Sequence, residues 1–320
     1  MSISCDPADL VKAAKCFPCV PKSARRWVRT YLLCQYGVKV TGLTFGQQTA
    51  NDWARRVVVN GGPAPSQNSI NAVTVFADTL NNAGLWSKMI HINVIAPDSI
   101  NAFLTPLLVG GGNDPYPGVC GNNNATTLGL TINGVKANGG NSAAENTGIV
   151  AINVFASDTS AGITIYVSQN SLSEAAQDAG YIRSSDNGAN FAMYTNIANV
   201  CYFLCWDGAN GQCASPYPGG FTGNGYFSGN RTAANVSKVY CANSITAHQQ
   251  IGSIATMGGT RQNAPAYAFD AYNITGPGCG TLGNKRYSFL AFHQGLQQSE
   301  SLTLFNAVQA LRTAFGGGFV

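Results

Sequence analysis

The chain has 320 residues, of which 45% are hydrophobic and only 10% are charged, against the quarter that is usual in soluble proteins. That length is enough for one large or two medium domains with a substantial core. No segment approaches the roughly 20 consecutive apolar residues of a membrane-spanning helix, so we expect no membrane insertion. A charge-poor surface rich in Asn, Gly, Ser and Thr is common in viral and secreted β-rich proteins and uncommon in cytosolic enzymes.

The net charge of +4 is unevenly distributed along the chain. Residues 1–60 contain nine Lys or Arg and three Asp, whereas the remaining residues are slightly acidic overall. A basic segment can bind nucleic acid or an acidic partner, but it can equally be the solvated face of a helix. Because no aromatic residues alternate with the charges as in RNA-binding motifs, nucleic acid is not an expected partner.

The first 112 residues are predicted to be mainly helical. Asp6-Pro7 and Ser23 are typical helix starts, and residues 66–82 place apolar side chains at helical spacing. The elements predicted here are helices beginning at Asp6, Ser23 and Thr49, a helix over 66–82, a strand over 89–95 and a short helix from Asp98.

After Gly110-Gly111-Gly112 the hydrophobic period changes from 3.6 to 2. Residues 162–168 alternate cleanly, so Ile163, Ile165 and Val167 should share one face of a strand. Further strands are predicted over 128–135, 148–156, 189–195, 200–206, 236–242, 266–274 and 287–292, and an amphipathic helix over 299–315. Many short strands separated by Asn- and Gly-rich turns favour an antiparallel sandwich.

The predicted fold class is therefore α+β, with a small N-terminal helical region, an antiparallel β-sandwich and a C-terminal helix. We expect three parts: a Cys-rich helical module over 1–44, a helical or linker subdomain over 45–112, and the sandwich with its helix over 113–320. The three-glycine run at 110–112 is the expected linker between the last two parts.

Ten cysteines are present: Cys5, Cys16, Cys19, Cys34, Cys120, Cys201, Cys205, Cys213, Cys241 and Cys279. Their even number favours disulfides, within or between chains, and Cys241 and Cys279 are candidate partners for the Cys201–Cys213 group. Zinc is the alternative for the first four, since Cys16-Phe-Pro-Cys19 has the spacing of a metal knuckle. Sequence leaves the connectivity open.

Catalytic constellations are weak throughout the sequence. The three glutamates, Glu145, Glu174 and Glu300, lie in separate segments, and Glu300 is expected in the first turn of a helix, where the dipole stabilises a negative charge. Asp207 and Asp270 could converge from strand positions, but capping aspartates are common. The histidines His91, His248 and His293 lie at scattered positions near strands and lack metal-binding spacing. We therefore expect no enzyme activity, no cofactor and no metal.

A Gly- and Pro-rich segment carries the most plausible binding residues. Tyr217, Phe221, Tyr226 and Phe227 cluster there, and aromatic side chains on such a loop can stack on sugar rings or form a subunit contact. The alternative is that these rings pack onto their own sandwich.

Two ends of the chain resemble a module that recurs in structural proteins of tailed bacteriophages. The first is Asn51-Asp52-Trp53-Ala54 with Asn60-Gly61-Gly62 and, further on, Ala83-Gly84-Leu85-Trp86. The second is the segment 288–295 followed by Leu304-Phe305-Asn306-Ala307. The opening, Lys15-Cys16-Phe17 and Cys19 with Tyr31-Leu32-Leu33-Cys34, is similar to a small cysteine-bearing helical leader of other phage-like proteins.

The resemblance implies a concanavalin-like (laminin-G-like) jelly-roll sandwich in a tail, collar or head fibre, or in a decoration of the particle. Its partners would be further copies of itself, other virion proteins and a glycan of the host surface. The absence of a secretory signal fits release by host lysis, with the virion as its final location. A carbohydrate-binding module is the alternative function, and a glycan-degrading enzyme ranks last. The extra cysteines of the sandwich depart from the pattern, so no role carries over to them.

Overall fold

The computed structural model of the chain describes residues 43–109, 129–136, 145–170, 178–182, 190–206, 212–255, 259–268, 271–273, 278–279 and 285–318. The helices predicted at Asp6 and Ser23, and the cysteines of the 1–44 module, lie outside these residues. Cys120, Glu174, Asp207 and Asp270 also lie outside them, so what the sequence indicates for these residues stays a prediction.

Five α-helices lie in the described residues. They are α1 (Phe45–Val59), α2 (Gln67–Asn82), α3 (Ile100–Leu104), α4 (Ala151–Val154) and α5 (Gln298–Ala314), with a 3₁₀ turn at Trp86–Lys88. The helix predicted from Thr49 begins four residues earlier. Ser99, rather than Asp98, caps α3 through its hydroxyl, which accepts a hydrogen bond from the Ala102 amide at 3.0 Å. Asp98 instead accepts from the Ser66 amide at 2.9 Å.

Local capping chemistry explains where the two long helices begin. The Ser66 side chain accepts a hydrogen bond from the Ser69 amide and opens α2, as its position before an apolar 3.6-residue pattern predicts. Gln297 and Glu300 form a capping box at α5, in which each side chain bonds the other residue's backbone. Glu300 therefore has the helix-stabilising position expected from the sequence.

The first sheet lies between the helices and the second sheet. Its main path runs β13-β12-β11-β6-β17-β1-β2, and the hairpin β3–β4 joins it through β17. The strands are β1 (Met89–Asn93), β2 (Leu108–Val109), β3 (Gly129–Thr131), β4 (Gly134–Lys136), β6 (Ala161–Gln169), β11 (Gly225–Ala233), β12 (Val236–Ala242), β13 (Gln249–Ile254) and β17 (Arg286–His293). All of its pairings in the described residues are antiparallel.

The second sheet packs face to face on the first. Its main path is β10-β9-β8-β7-β14-β5, with β15 beside β7 and β16 beside β15. The strands are β5 (Glu145–Val150), β7 (Ala179–Ile182), β8 (Phe191–Ile197), β9 (Val200–Cys205), β10 (Gln212–Pro216), β14 (Pro265–Ala268), β15 (Ala271–Asn273) and β16 (Gly278–Cys279). Its described pairings are antiparallel except that of β15 with β7, which is parallel. The predicted α+β sandwich with a C-terminal helix is confirmed.

Two cores follow from this three-layer arrangement. Ile163, Ile165 and Val167 share the face of β6 that points between the sheets, as the alternation predicts. Tyr166, on the opposite face of the same strand, packs into a second core under α1, α2 and α5. Both faces of β6 are therefore buried, which is why its burial is continuous although its sequence alternates.

The strand β1 joins residues that precede the three-glycine run to the sandwich. Ile92 pairs with Ala291 of β17, and the compact unit that contains them is Phe45–Val320. The boundary expected at residue 112 thus falls inside one compact unit.

Several strand predictions need correction. The strand predicted over 148–156 ends at Val150, where α4 begins, and that predicted over 266–274 is two short strands, β14 and β15. The sequence interpretation missed β2, β7, β10, β11, β13 and β16, and the strand predicted over 128–135 is the hairpin β3–β4. The nine residues of β11 include two glycines and an asparagine, which β-propensity disfavours, yet its first seven residues are buried.

Gly229 of β11 tests how tightly the two sheets pack. A Cβ there would lie 2.3 Å from the Phe203 ring of the second sheet, so Gly229→Ala forces the sheets apart. We expect the variant to lose about 1–3 kcal/mol of unfolding free energy, measured by chemical denaturation. Gly219→Ala is the matched control, because nothing lies within 4 Å of its Cβ position. Equal stability of the two variants would contradict this packing.

Candidate functional site

The aromatic segment predicted as a stacking platform belongs to the cores. Phe221 is 7% exposed and Tyr226 and Phe227 are fully buried, while the half-buried Tyr217 packs against Phe221 and Phe227 with ring centroids 5.1 and 5.9 Å apart. The prediction of a solvent-facing platform at these four residues was wrong, and the alternative of self-packing is confirmed. The Gly- and Pro-rich composition suggested an open loop, but Tyr226 and Phe227 lie within β11.

Four cysteines of the sandwich, whose side chains the structure describes, are buried thiols. Cys201, Cys205, Cys213 and Cys241 carry no disulfide in the described residues, so the bonds predicted among them are absent. Burial raises the pKa of the Cys241 thiol to about 12, and burial with the nearby Asp178 raises that of Cys201. Thiols held protonated in this way are poor nucleophiles, and they act here as small apolar side chains.

The structure brings together two charged residues that the sequence analysis did not single out. Asp178 immediately precedes β7 in the second sheet, and Lys285 immediately precedes β17 in the first sheet. The Lys285 ammonium lies 2.9 Å from both carboxylate oxygens of Asp178, and both side chains are fully buried. This contact is an ion pair between the sheets, and we call it the cross-sheet pair.

Three further donors saturate the Asp178 carboxylate. The Tyr287 hydroxyl donates to Oδ1 at 2.5 Å, and Thr195 donates to Oδ2 from its amide at 2.5 Å and from its hydroxyl at 2.9 Å. Lys285 also donates to the Thr195 hydroxyl at 3.1 Å. Tyr217 donates to the Thr195 carbonyl, which ties the aromatic segment to the same network. A buried charge surrounded in this way is stable because every lone pair is used.

Each of the histidines lies in or next to a strand and makes hydrogen bonds to neighbouring groups. His293 donates from Nδ1 to the Gln294 carbonyl at 2.8 Å, so its neutral Nε2 accepts from the Thr164 hydroxyl at 2.8 Å. Thr164 in turn contacts Ser228 at 2.8 Å. His91 contacts the Asn93 side chain within β1. In the described part of the chain, no cluster of His, Cys, Asp or Glu could hold a metal ion.

Burial lowers the pKa of His91 and of His293 to about 4, because neither imidazolium could be solvated. Both side chains are fully buried. The unfolded chain takes up these protons near its ordinary pKa of about 6.5, so it binds more protons than the folded protein between those values. The stability contributed by neutral histidine is present above pH 6.5 and is lost as the pH falls towards 4.

Acid should therefore destabilise the fold, by about 3 kcal/mol for each of these histidines between pH 6.5 and pH 4. We expect His293→Gln, which keeps hydrogen-bonding groups and cannot titrate, to lose less stability than the wild type over that range. Urea denaturation at pH 7 and pH 4.5 measures the difference. An identical loss in both proteins would show that His293 is not the titrating group.

One groove with a polar lining lies on the helix side of the first sheet. It is formed by β12, the residue before β13 and the first turn of α5, and its lining residues are Lys238, His248, Gln297, Gln298, Ser299 and Leu302. The side chains of Lys238, Gln298 and Ser299 make no hydrogen bond or ion pair within the described residues. Leu302 is 41% exposed. We call this surface the α5 groove.

Tyr240 lies beside the α5 groove with an unused hydroxyl. Its ring stacks on His248 with centroids 5.4 Å apart and an interplanar angle of 19°, while His248 contacts the Ser301 hydroxyl at 3.0 Å. Tyr240 is fully buried, yet its hydroxyl has no hydrogen-bond partner in the described residues. A buried donor without a partner is unusual in a folded protein.

The described helices include none that is long and apolar enough to cross a membrane. Local charge does not single out the cross-sheet pair, because Glu174, Arg183 and Asp186 lie close to Asp178 in sequence and Arg286 follows Lys285. No sequence pattern shows that they meet, since 107 positions separate them.

No protein-family model matches this chain, and no curated protein matches it. The chain is similar to the solved binding domain of botulinum neurotoxin DC in complex with rat synaptotagmin II, at 13% identity and a TM-score of 0.46, over 70% of this chain and 52% of that one. It is also similar to the binding domain of Paraclostridial mosquitocidal protein 1, at 13% identity and a TM-score of 0.44, over 69% of this chain and 52% of that one.

A mutant of a GH54 α-L-arabinofuranosidase soaked with 4-nitrophenyl α-L-arabinofuranoside is 12% identical, with a TM-score of 0.40, over 56% of this chain and 41% of that one. The chain thus spans about half or less of each of these solved chains. At TM-scores below 0.5, these similarities support no conclusion about its function.

Proposed function

We propose that the chain is a non-enzymatic structural component of a bacteriophage virion surface appendage, such as a tail, collar or head fibre. Such a protein must hold its shape outside the cell and present surfaces to a host. The observation that carries the proposal is the cross-sheet pair, in which the buried charged groups Asp178 and Lys285 are saturated by each other and by neighbours. These groups serve cohesion between the sheets and face no cleft.

Two further observations support a structural role. The chain is poor in charge and rich in Asn, Gly, Ser and Thr, so its surface remains soluble through neutral hydrogen-bonding groups. The resemblance of its two ends to a module of tailed-phage proteins falls on α1, on the turn after α2 and on β17 with α5. Those elements build the helix-covered core, in which Trp53 and Leu304 are fully buried.

The test of this proposal is the composition of purified particles. We expect mass spectrometry of density-purified virions to detect the protein as a structural component, and immunogold labelling to place it on the particle exterior. A protein of the same lysate that is not packaged serves as the control for contamination. Absence of the chain from particles that retain infectivity would defeat the proposal.

The α5 groove favours a second candidate function, the binding of a host-surface glycan. The amide of Gln298 and the hydroxyl of Ser299 offer donors and acceptors that match sugar hydroxyl groups, and the exposed part of Leu302 can contact an apolar sugar face. Lys238 and the amino end of α5 add positive potential, which favours acidic sugars.

Binding to a panel of bacterial surface polysaccharides, followed by titration of variants, tests this second function. We expect Gln298→Ala to weaken binding about fivefold, since it removes one hydrogen-bonding group. Gln67→Ala removes an exposed amide from α2, outside the groove, and should bind as the wild type does.

Binding that is equally reduced by Gln67→Ala, or absent across the panel, would contradict a glycan site at the α5 groove. Neither result bears on whether the protein is part of the particle, since the virion measurement uses the unmodified protein.

A further inference from the structure

The cross-sheet pair places a primary amine against a carboxyl group in a site closed to solvent. Lys285 Nζ lies 2.9 Å from Asp178 Oδ1 and 2.9 Å from Oδ2, and neither side chain has any exposed surface. We propose that these two side chains condense into an amide, so that a covalent bond between Lys285 and Asp178 joins the two sheets.

The condensation balances with the atoms that are already present. A bond forms between Lys285 Nζ and Asp178 Cγ, and one bond from Cγ to a carboxyl oxygen breaks. Of the three protons on the ammonium, one stays on the amide nitrogen and two leave with the departing oxygen as water. No electrons are lost or gained, so no oxidant, reductant or other reagent is needed.

Thr195 is positioned to carry a proton from the amine to the departing oxygen. Its hydroxyl accepts from Lys285 Nζ at 3.1 Å and donates to Asp178 Oδ2 at 2.9 Å, so it bridges the two reacting groups. Transfer through this hydroxyl would free a lone pair on the nitrogen and protonate the oxygen that must leave. A relay within hydrogen-bond reach of both groups is the geometry that general acid–base catalysis requires.

Two other donors would stabilise the negative charge that develops on the carboxyl group during attack. The Tyr287 hydroxyl points to Oδ1, and the Thr195 amide points to Oδ2, each at 2.5 Å. Fixed donors aimed at oxygens that gain charge act as an oxyanion hole does. The enclosed contact between the two reacting groups also replaces a collision in solution by a reaction within one site.

Burial favours the neutral product over the ion pair. Two charges removed from water carry a desolvation penalty that an amide does not have, and the released water molecule can leave to bulk solvent. The bond would connect residues that are 107 positions apart, one at the start of β7 and one at the start of β17. Cys201, Cys205, Cys213 and Cys241 carry no disulfide, so the amide would supply covalent reinforcement of a kind that they do not, and that reducing agents do not remove.

The mass of the intact protein, measured after denaturation and reduction, tests the proposal directly. We expect the full chain to be lighter by one water molecule than its sequence requires. A tryptic digest should contain residues 137–183 joined to residues 262–286, because trypsin does not cleave after an acylated lysine. The sequence mass, or a loss of water that fragmentation places at other residues, would overturn the proposal.

Several variants separate the role of Lys285 from that of Thr195, so that the test does not fail if one variant does not fold. Lys285→Arg retains the positive charge but should show the full sequence mass, whereas Lys238→Arg should lose water as the wild type does. During refolding, Thr195→Val should form the bond at least about tenfold more slowly, and Thr195→Ser, which restores the hydroxyl, should recover the rate. Equal rates for the valine and serine variants would rule out the relay through Thr195.

Discussion

Two charged groups without access to solvent connect the two sheets of this protein. An unpaired buried charge would be strongly destabilising, so Lys285 at the start of β17 and Asp178 at the start of β7 each require the other. The contact therefore specifies the position of one sheet relative to the other. Hydrophobic packing alone specifies this position less well, because it is not directional. Thr195 of β8 and Tyr287 of β17 complete the hydrogen bonds of the carboxylate and extend the constraint to two further positions.

The first sheet has a hydrophobic core on each of its two faces. The core between the sheets contains the rings of Phe191, Phe203 and Phe292, and the core on the other face is closed by α1, α2 and α5. Because β6 is buried on both faces, the first sheet is the central layer of the molecule. The α5 groove lies on the helix side of this layer, where the first turn of α5 meets β12.

Sequence reasoning predicted the elements whose signals are local. The cap at Ser66, the alternation along β6 and the apolar stripe of α5 each depend on residues within a few positions of one another, and the structure has these elements where they were expected. The strand β11 was missed because Gly229 and Asn230 disfavour strands. Tertiary contacts explain why these two residues occur in a strand. Gly229 leaves room for the Phe203 ring, and the Asn230 side chain accepts a hydrogen bond from the Leu296 amide at 2.9 Å. The candidate site was missed for the same reason, since Asp178 and Lys285 meet only after both sheets have formed.

The central claim is that the cross-sheet pair holds the sandwich together, and the stability of Lys285→Met measures it most directly. Without Lys285, neither an ion pair nor an amide can form and the Asp178 carboxylate is buried without its partner, so we expect the unfolding free energy to fall by at least about 3 kcal/mol. Lys88→Met is the matched control, because Lys88 pairs with Glu300 at 2.5 Å with both side chains partly exposed, and should change stability by about 1 kcal/mol or less. If Lys285→Met is no less stable than Lys88→Met, the two sheets do not depend on this pair.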